Sequence, residues 1–214
     1  MINIGFIGLG IMGRSQVAAF AQLRRCKIVA GCDVSDEARK AFAQAYPKAA
    51  LYADHKELLA DESVDAVVVA LPTYHHERIG SDTMRSGRPV LMEKPLARSV
   101  AAARRMIDVS RKTGQLLMAA HCRRFDPDWG AMARQVQQDR LGRPILWRSI
   151  SAGPGRGSWF IDEKLGGGPL FDQAVHDFDF ANYLFGDPQH VLASAVETHP
   201  DLSAVNCGPA VVRY

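Results

Sequence analysis

The 214-residue sequence has only four cysteines, Cys26, Cys32, Cys122 and Cys207, and none forms a C-x-x-C pair with another. Such spacing argues against a disulfide framework or a thiolate metal site and fits reduced thiols in a cytoplasmic protein. No apolar run approaches the roughly 20 residues needed to span a bilayer. The N-terminus passes straight into a strand-like segment, which is not how a signal peptide reads. Strong charge of one sign is also missing: the net charge is +3 and the isoelectric point is about 8.7. The short basic spots Arg104-Arg105, Arg111-Lys112 and Arg123-Arg124 are scattered and carry no interleaved aromatics. They read as solvated faces, so neither a nucleic acid nor a membrane is expected as a partner. With 47% hydrophobic and 23% charged residues, what remains is an ordinary globular chain, long enough for one large or two small domains.

What is present begins at once. Asn3-Ile4-Gly5-Phe6-Ile7 leads into Gly8-Leu9-Gly10-Ile11-Met12-Gly13, a G-x-G-x-x-G turn directly after an apolar strand. Gly8 permits the tight turn, Gly10 lets the backbone approach a pyrophosphate, and Gly13 lets the following helix pack close. The free N–H groups at that helix start, which include those of Ile11 and Met12, suit phosphates. A second strand ends on Asp33, about 20 residues past the last glycine, where a carboxylate accepts from ribose hydroxyls and repels a 2′-phosphate. A strand, glycines, helix and correctly spaced acid in one unit make a dinucleotide-binding fingerprint, with NAD favoured over NADP.

Strand and helix patterns alternate through the first 120 residues, the mark of a parallel sheet covered on both faces. Strands are expected at Ile2–Ile7, Lys27–Cys32, Ala66–Leu71, Pro89–Met92 and Gln115–Ala120. The unbroken run Ala66-Val67-Val68-Val69-Ala70-Leu71 suits a strand buried on both sides. Helices are expected at about Met12–Leu23, after the cap Ser35, after Asp54 with Glu57 at capping-box spacing, at His76–Arg85, and at Ser99–Lys112. Beyond residue 120 the pattern changes: a helix over Pro127–Asp139, a strand over Pro144–Ile150, a glycine-rich loop over Ser151–Gly168, and a helix over Pro169–Phe185. A strand at Gln189–Glu197 follows, and Ala210–Tyr214 looks like the opening of another. The expected fold is therefore an α/β Rossmann doubly wound parallel sheet, residues 1–120, followed by an incomplete α+β domain with a mostly antiparallel sheet, residues 121–214. A strand opening so close to the end of the sequence leaves an unpaired edge. A partner then covers it, or the chain is a shortened form of something longer.

Two constellations carry chemistry. The strand expected at Pro89–Met92 runs into Glu93-Lys94-Pro95, at the carboxyl edge where ligands of open α/β sheets bind; the bland alternative is a surface lysine at a loop start. The second is Asp172-x-x-x-His176, an i, i+4 pair on one helix face, with Asp179 three residues on. A carboxylate beside an imidazole is what a general base near neutral pH requires. The same pair also fits a plain acid–histidine contact, or two ligands of a metal whose further ligands are not evident, so no metal is expected. His75 and His76, just past Pro72, belong either to the nicotinamide end of the crevice or simply to a helix start.

Together, Gly8-x-Gly10-x-x-Gly13, the Pro72…His76 step, Glu93-Lys94-Pro95, Arg124-Phe125 and the Gly166-Gly167-Gly168…Asp172-x-x-x-His176 helix resemble the glucose–fructose oxidoreductase / inositol dehydrogenase family, written Gfo/Idh/MocA. The resemblance spans nearly the whole chain. It implies an NAD-dependent oxidoreductase acting on a secondary hydroxyl of a sugar, cyclitol or related polyol, with Lys94, Asp172 and His176 as the catalytic trio. By the same resemblance, Gly8, Gly10, Ile11, Met12, Gly13, Asp33, Leu71, Pro72, His76, Glu93 and Lys94 bind the cofactor. Lys94, Arg124, Asp172 and His176 bind substrate. A homo-oligomer formed through the second-domain sheet is expected too. Family members continue for more than a hundred further residues, so the alternative is a shortened, non-catalytic NAD(H)-binding structural or regulatory subunit.

Overall fold

In the computed structural model, residues 1–151, 159, 162–196 and 207–214 are described, at 169 and 170 by the backbone alone. The chain divides into two compact units, Met1–Ala120 and His121–Tyr214.

The first unit is built on β1 (Ile2–Ile7), whose residues alternate across the pleat. Ile4 and Phe6 join Leu9, Val17, Phe42 and Val68 in a core on one face. Ile7 joins Val67, Val69, Val90 and Met92 on the other, against Ile79, Met84, Ala102 and Met106. Two cores on one sheet explain why the valine run of β4 (Ala66–Val69) is continuous: neither face meets water. Full burial of Phe6 alone contributes about 1.5–3 kcal/mol. The remaining strands are β2 (Cys26–Cys32), β3 (Ala50–Tyr52), β5 (Val90–Met92) and β6 (Leu117–Ala119). All pair in parallel, in the order β3-β2-β1-β4-β5-β6. The order reverses between β1 and β4, which opens a crevice beyond their carboxyl ends.

The connecting helices are α1 (Ile11–Phe20), α2 (Asp36–Ala45), α3 (His55–Ala60), α4 (His76–Arg85) and α5 (Val100–Thr113). Their starts follow the capping residues: Ser35, Asp54 and Ser99 accept from Ala38, Lys56 and Ala102 N–H groups. Helix α1 stops at Phe20, short of the expected Leu23, because Gln22 and Leu23 N–H turn back to Ala19 and Phe20 carbonyls in a tight turn that feeds β2. The bounds of strand β3 were not expected; three residues are too few to show a period.

The second unit holds α6 (Pro127–Gln137), α7 (Gly168–Phe185), β7 (His190–Ala193) and β8 (Ala210–Arg213). Strands β7 and β8 pair antiparallel, Val191 opposite Val212 and Leu192 opposite Val211, with a further bridge between Val196 and Cys207. An aromatic cluster forms its small core: Phe180 is fully buried and meets Trp129 edge-to-face at 4.7 Å, Trp147 at 6.0 Å and Tyr183 at 6.0 Å. Tyr214 closes β8 onto α7 through a 2.9 Å hydrogen bond from its hydroxyl to Asn182.

The strand expected over Pro144–Ile150 does not form. A strand exists through its ladder, and among the described residues this segment has no strand beside it. Ile145 and Leu146 stand exposed, while Trp147 turns into the aromatic cluster. Residues 152–158, 160 and 161 of the expected glycine-rich loop, and Glu197 at the end of the expected seventh strand, lie outside the described residues.

Candidate functional site

In the first unit the expected site residues gather at the carboxyl ends of four adjacent strands: Gly8 after β1, Asp33 after β2, Leu71 and Pro72 after β4, and Glu93 and Lys94 after β5. Gly8 has φ +94°, and a Cβ there would lie 2.2 Å from the Ala70 carbonyl oxygen. A Cβ on Gly13 would lie 1.9 Å from the Gly8 carbonyl oxygen, so strand, turn and helix are packed too closely for any side chain. Gly10 differs: a Cβ there would meet no atom of the described chain within 4 Å. The chain's own packing does not require that glycine, and the open space beside it could admit a ligand's close approach. Ile11 and Met12 follow, exposed on the first turn of α1.

Asp33 anchors the turn. Its Oδ2 accepts from Leu9 N–H at 2.7 Å and its Oδ1 from Ser35 N–H at 2.8 Å. Arg39 donates to the Asp33 carbonyl oxygen at 2.6 Å, a neighbour that sequence reasoning did not identify. Cys32, one of four free thiols, is buried here. Burial first, and the neighbouring Asp33 charge second, push its pKa up to about 12, so it stays a protonated, unreactive thiol.

The Glu93-Lys94-Pro95 turn contains a cis Lys94–Pro95 bond. Glu93 is buried; its Oε1 accepts from Gln16 Nε2 at 2.7 Å and its Oε2 from Lys94 N–H at 3.1 Å. Gln16 had no signal in the sequence beyond lying one turn past Gly13 on α1. Lys94 is half-buried at the turn.

His76 is fully buried. Its Nδ1 lies 2.8 Å from the Pro95 carbonyl oxygen and its Nε2 2.8 Å from that of Leu71. Burial holds the ring below the usual histidine range, while hydrogen bonding to these carbonyls works the other way. Both ring nitrogens therefore face main chain, between the β4 end and the Lys94 turn, and the neutral ring can donate to one of the two carbonyls. Thr73, next to Pro72, is 2% exposed, with no hydrogen-bond partner for its Oγ1 among the described residues. An orphaned buried hydroxyl beside Pro72, like the open space at Gly10, fits a polar ligand in this crevice.

In the second unit Asp172, buried, and His176, half-buried, share one face of α7. The start of that helix follows from Gly167, whose φ of +84° turns the chain, and from Pro169 in its first turn. Arg124, expected to contact substrate, engages Asp179: Nε donates to Oδ2 at 2.8 Å and Nη2 to Oδ1 at 2.5 Å. Its neighbour Arg123 donates to Asp177 at 2.5 Å. Burial works against ionisation of Asp177, but hydrogen bonds from Ser149, Arg123 and Ser151 outweigh it and hold the carboxyl below its ordinary range. Among the described residues, no group of three or more His, Cys, Asp or Glu side chains could hold a metal ion, and no helix is long and apolar enough to cross a membrane.

A six-stranded parallel sheet with a phosphate-type glycine turn at its switch point defines a dinucleotide-fold protein. Residues 2–121 match the family described as "Oxidoreductase family, NAD-binding Rossmann fold" and residues 129–214 match its "GFO/IDH/MocA C-terminal domain", and the chain belongs to this GFO/IDH/MocA family. Inositol 2-dehydrogenase 2 of Saccharopolyspora erythraea is 34% identical over 199 residues, covering 92% of this chain and 57% of that protein. A probable dehydrogenase from Thermotoga maritima superposes with a TM-score of 0.91 at 28% identity, over 99% of this chain and 65% of that one. The WlbA dehydrogenase from Bordetella pertussis, crystallised with NADH and UDP-GlcNAcA, superposes with a TM-score of 0.88 at 25% identity, over 99% of this chain and 67% of that one. The chain thus spans a little over half the length of its curated relative.

Proposed function

We propose that the protein is an NAD-dependent oxidoreductase that transfers a hydride between the nicotinamide and a secondary hydroxyl of a cyclitol, sugar or related polyol. The observation that carries the cofactor half of this reading is the Gly8–Gly13 turn tied to Asp33: two glycines demanded by packing, one with open space beside it, and a carboxylate fixed beside them. The substrate class is supported by the relatives, among them inositol 2-dehydrogenases. When bound, the nicotinamide supplies the hydride acceptor. The Gly10–Gly13 amides and the α1 N-terminus hold the pyrophosphate, and Asp33 takes the ribose hydroxyls. His176 removes the hydroxyl proton, and Asp172 orients its ring and favours the protonated form. Lys94, steadied by the Glu93 and Pro95 turn, stabilises the developing alkoxide.

Separate measurement of binding and turnover tests this. Lys94→Ala and His176→Ala should keep NADH affinity within a few-fold in calorimetric titration and lose roughly 10²–10⁴-fold in turnover. Loss of NADH binding in His176→Ala would assign that helix a structural role instead. NADH binding with no turnover of any polyol would favour the alternative of a non-catalytic, cofactor-holding subunit.

A further inference from the structure

Asp172, His176 and Asp179 follow one another on α7 at spacings of four and three, which puts them within about 60° of each other around the helix axis. Asp177 lies about 160° from Asp179, nearly on the opposite side. Both aspartates are gripped from a single turn of chain, Cys122–Arg124, whose arginines lie 54 and 55 residues before them. The Arg124 fork closes on the Asp179 carboxylate, whose side chain is 9% exposed, and its guanidinium lies over the Tyr183 ring at 5.2 Å. The hydrogen bond to Asp179 also holds the Arg124 pKa above its ordinary value. Arg123 bonds Asp177 and lies over the Trp129 ring at 4.5 Å; the Ser151 hydroxyl takes the second Asp177 oxygen at 2.7 Å, and Ser149 donates beside Arg123.

The aromatic cluster around Phe180 supplies apolar attachment, but apolar contact is non-directional and leaves a helix some freedom to roll. Two charge-assisted bonds on opposite sides of the axis remove that freedom, and a planar fork on a carboxylate fixes direction as well as distance. The face so fixed is the one that bears Asp172 and His176. We propose that Arg123 and Arg124 are positioning residues: they set the roll of α7 and, through it, the orientation of His176. Arg124 acts on the chemistry through Asp179, not by touching substrate. The inference rests on the reading of His176 as the base.

Histidine-labelled full-length protein studied by NMR provides a readout independent of turnover, with the His176 ring signal assigned by its loss in His176→Gln. Arg124→Ala should shift that signal and, in the turnover assay, lower kcat by up to about 10²-fold with KM changed only a few-fold, as small misplacements of a base do. The exchange Arg124→Asp with Asp179→Arg should restore both, whereas Arg124→Lys, which keeps charge but not the fork, should restore neither fully. Should Arg124→Ala unfold the second unit, Arg124→Gln, which keeps a donor, serves in its place. An unmoved His176 signal in a folded Arg124 variant, or a charge exchange that restores nothing, would overturn the clamp. Turnover that survives in His176→Gln and Lys94→Ala would instead defeat the catalytic reading, whatever the arginine variants do.

Discussion

Replacing Asp33 by asparagine removes the charge proposed to set cofactor preference. The amide keeps one side-chain oxygen for the Leu9 N–H bond of 2.7 Å, but its NH2 group no longer accepts the Ser35 N–H at 2.8 Å. The larger loss is the negative charge facing a ribose 2′-phosphate. Two unit charges about 4 Å apart interact by about 1 kcal/mol in water and about 4 kcal/mol at the effective dielectric of a protein surface. Asp33 is half-buried, so its repulsion falls between these limits, which corresponds to roughly 5- to 1000-fold discrimination against NADP at about 1.4 kcal/mol per decade. Titration calorimetry of NAD and NADP against wild type and Asp33→Asn reads the ratio directly. The variant should bring the two affinities to within a few-fold. Asp33→Ser combined with Val34→Arg should narrow or reverse the preference, because Val34 is 90% exposed and leaves room for the guanidinium. Equal affinities in the wild type, or an Asp33→Asn ratio identical to it, would refute the assignment of this carboxylate.

Phe180→Ala should remove about 3–5 kcal/mol from the second unit and leave the first unit's transition unmoved, so that thermal unfolding of the variant becomes biphasic. The Asp177 carboxyl is lower in the folded than in the unfolded chain, so its contribution is complete above the ordinary carboxylate range, near pH 4, and fades as pH falls through the folded value. Asp177→Asn should therefore destabilise at about pH 7 and converge on wild type in acid melts; a gap constant with pH would contradict this. Exposed Val191, Leu192 and Val211 on β7 and β8 predict concentration-dependent association in light scattering that Leu192→Lys weakens. A monodisperse 23.5 kDa monomer at all concentrations would count against it.

The first unit was readable because its signals are local. Gly8 to Gly13, the caps Ser35 and Ser99, and the Val67–Val69 run each announce structure within a few residues, and the expected element order followed from them. The misses are non-local. A strand at Pro144–Ile150 had the right residues but needed a neighbour that no local pattern supplies, and β3 is visible only as the partner of β2. At the site, Gly8, Gly13 and Asp33 carry their reasons in sequence spacing. The Gln16–Glu93 bond joins residues 77 apart, and the Arg124–Asp179 pair residues 55 apart. For Arg124 and His76, sequence identified residues worth attention, but not their protein neighbours, Asp179 and the Leu71 and Pro95 carbonyls. A buried side chain's partner is set by tertiary contact, which a single sequence does not display.

The most direct test of the central claim is the ultraviolet absorbance of NADH, followed as the purified chain is mixed with NAD and a panel of cyclitols and sugars. The account predicts that at least one polyol drives a rise, that the rise depends on Asp33 for NAD over NADP, and that Lys94→Ala and His176→Ala each abolish it while still binding NADH. A rise undiminished in His176→Ala, or no rise with any polyol from protein that demonstrably binds NADH, would contradict it.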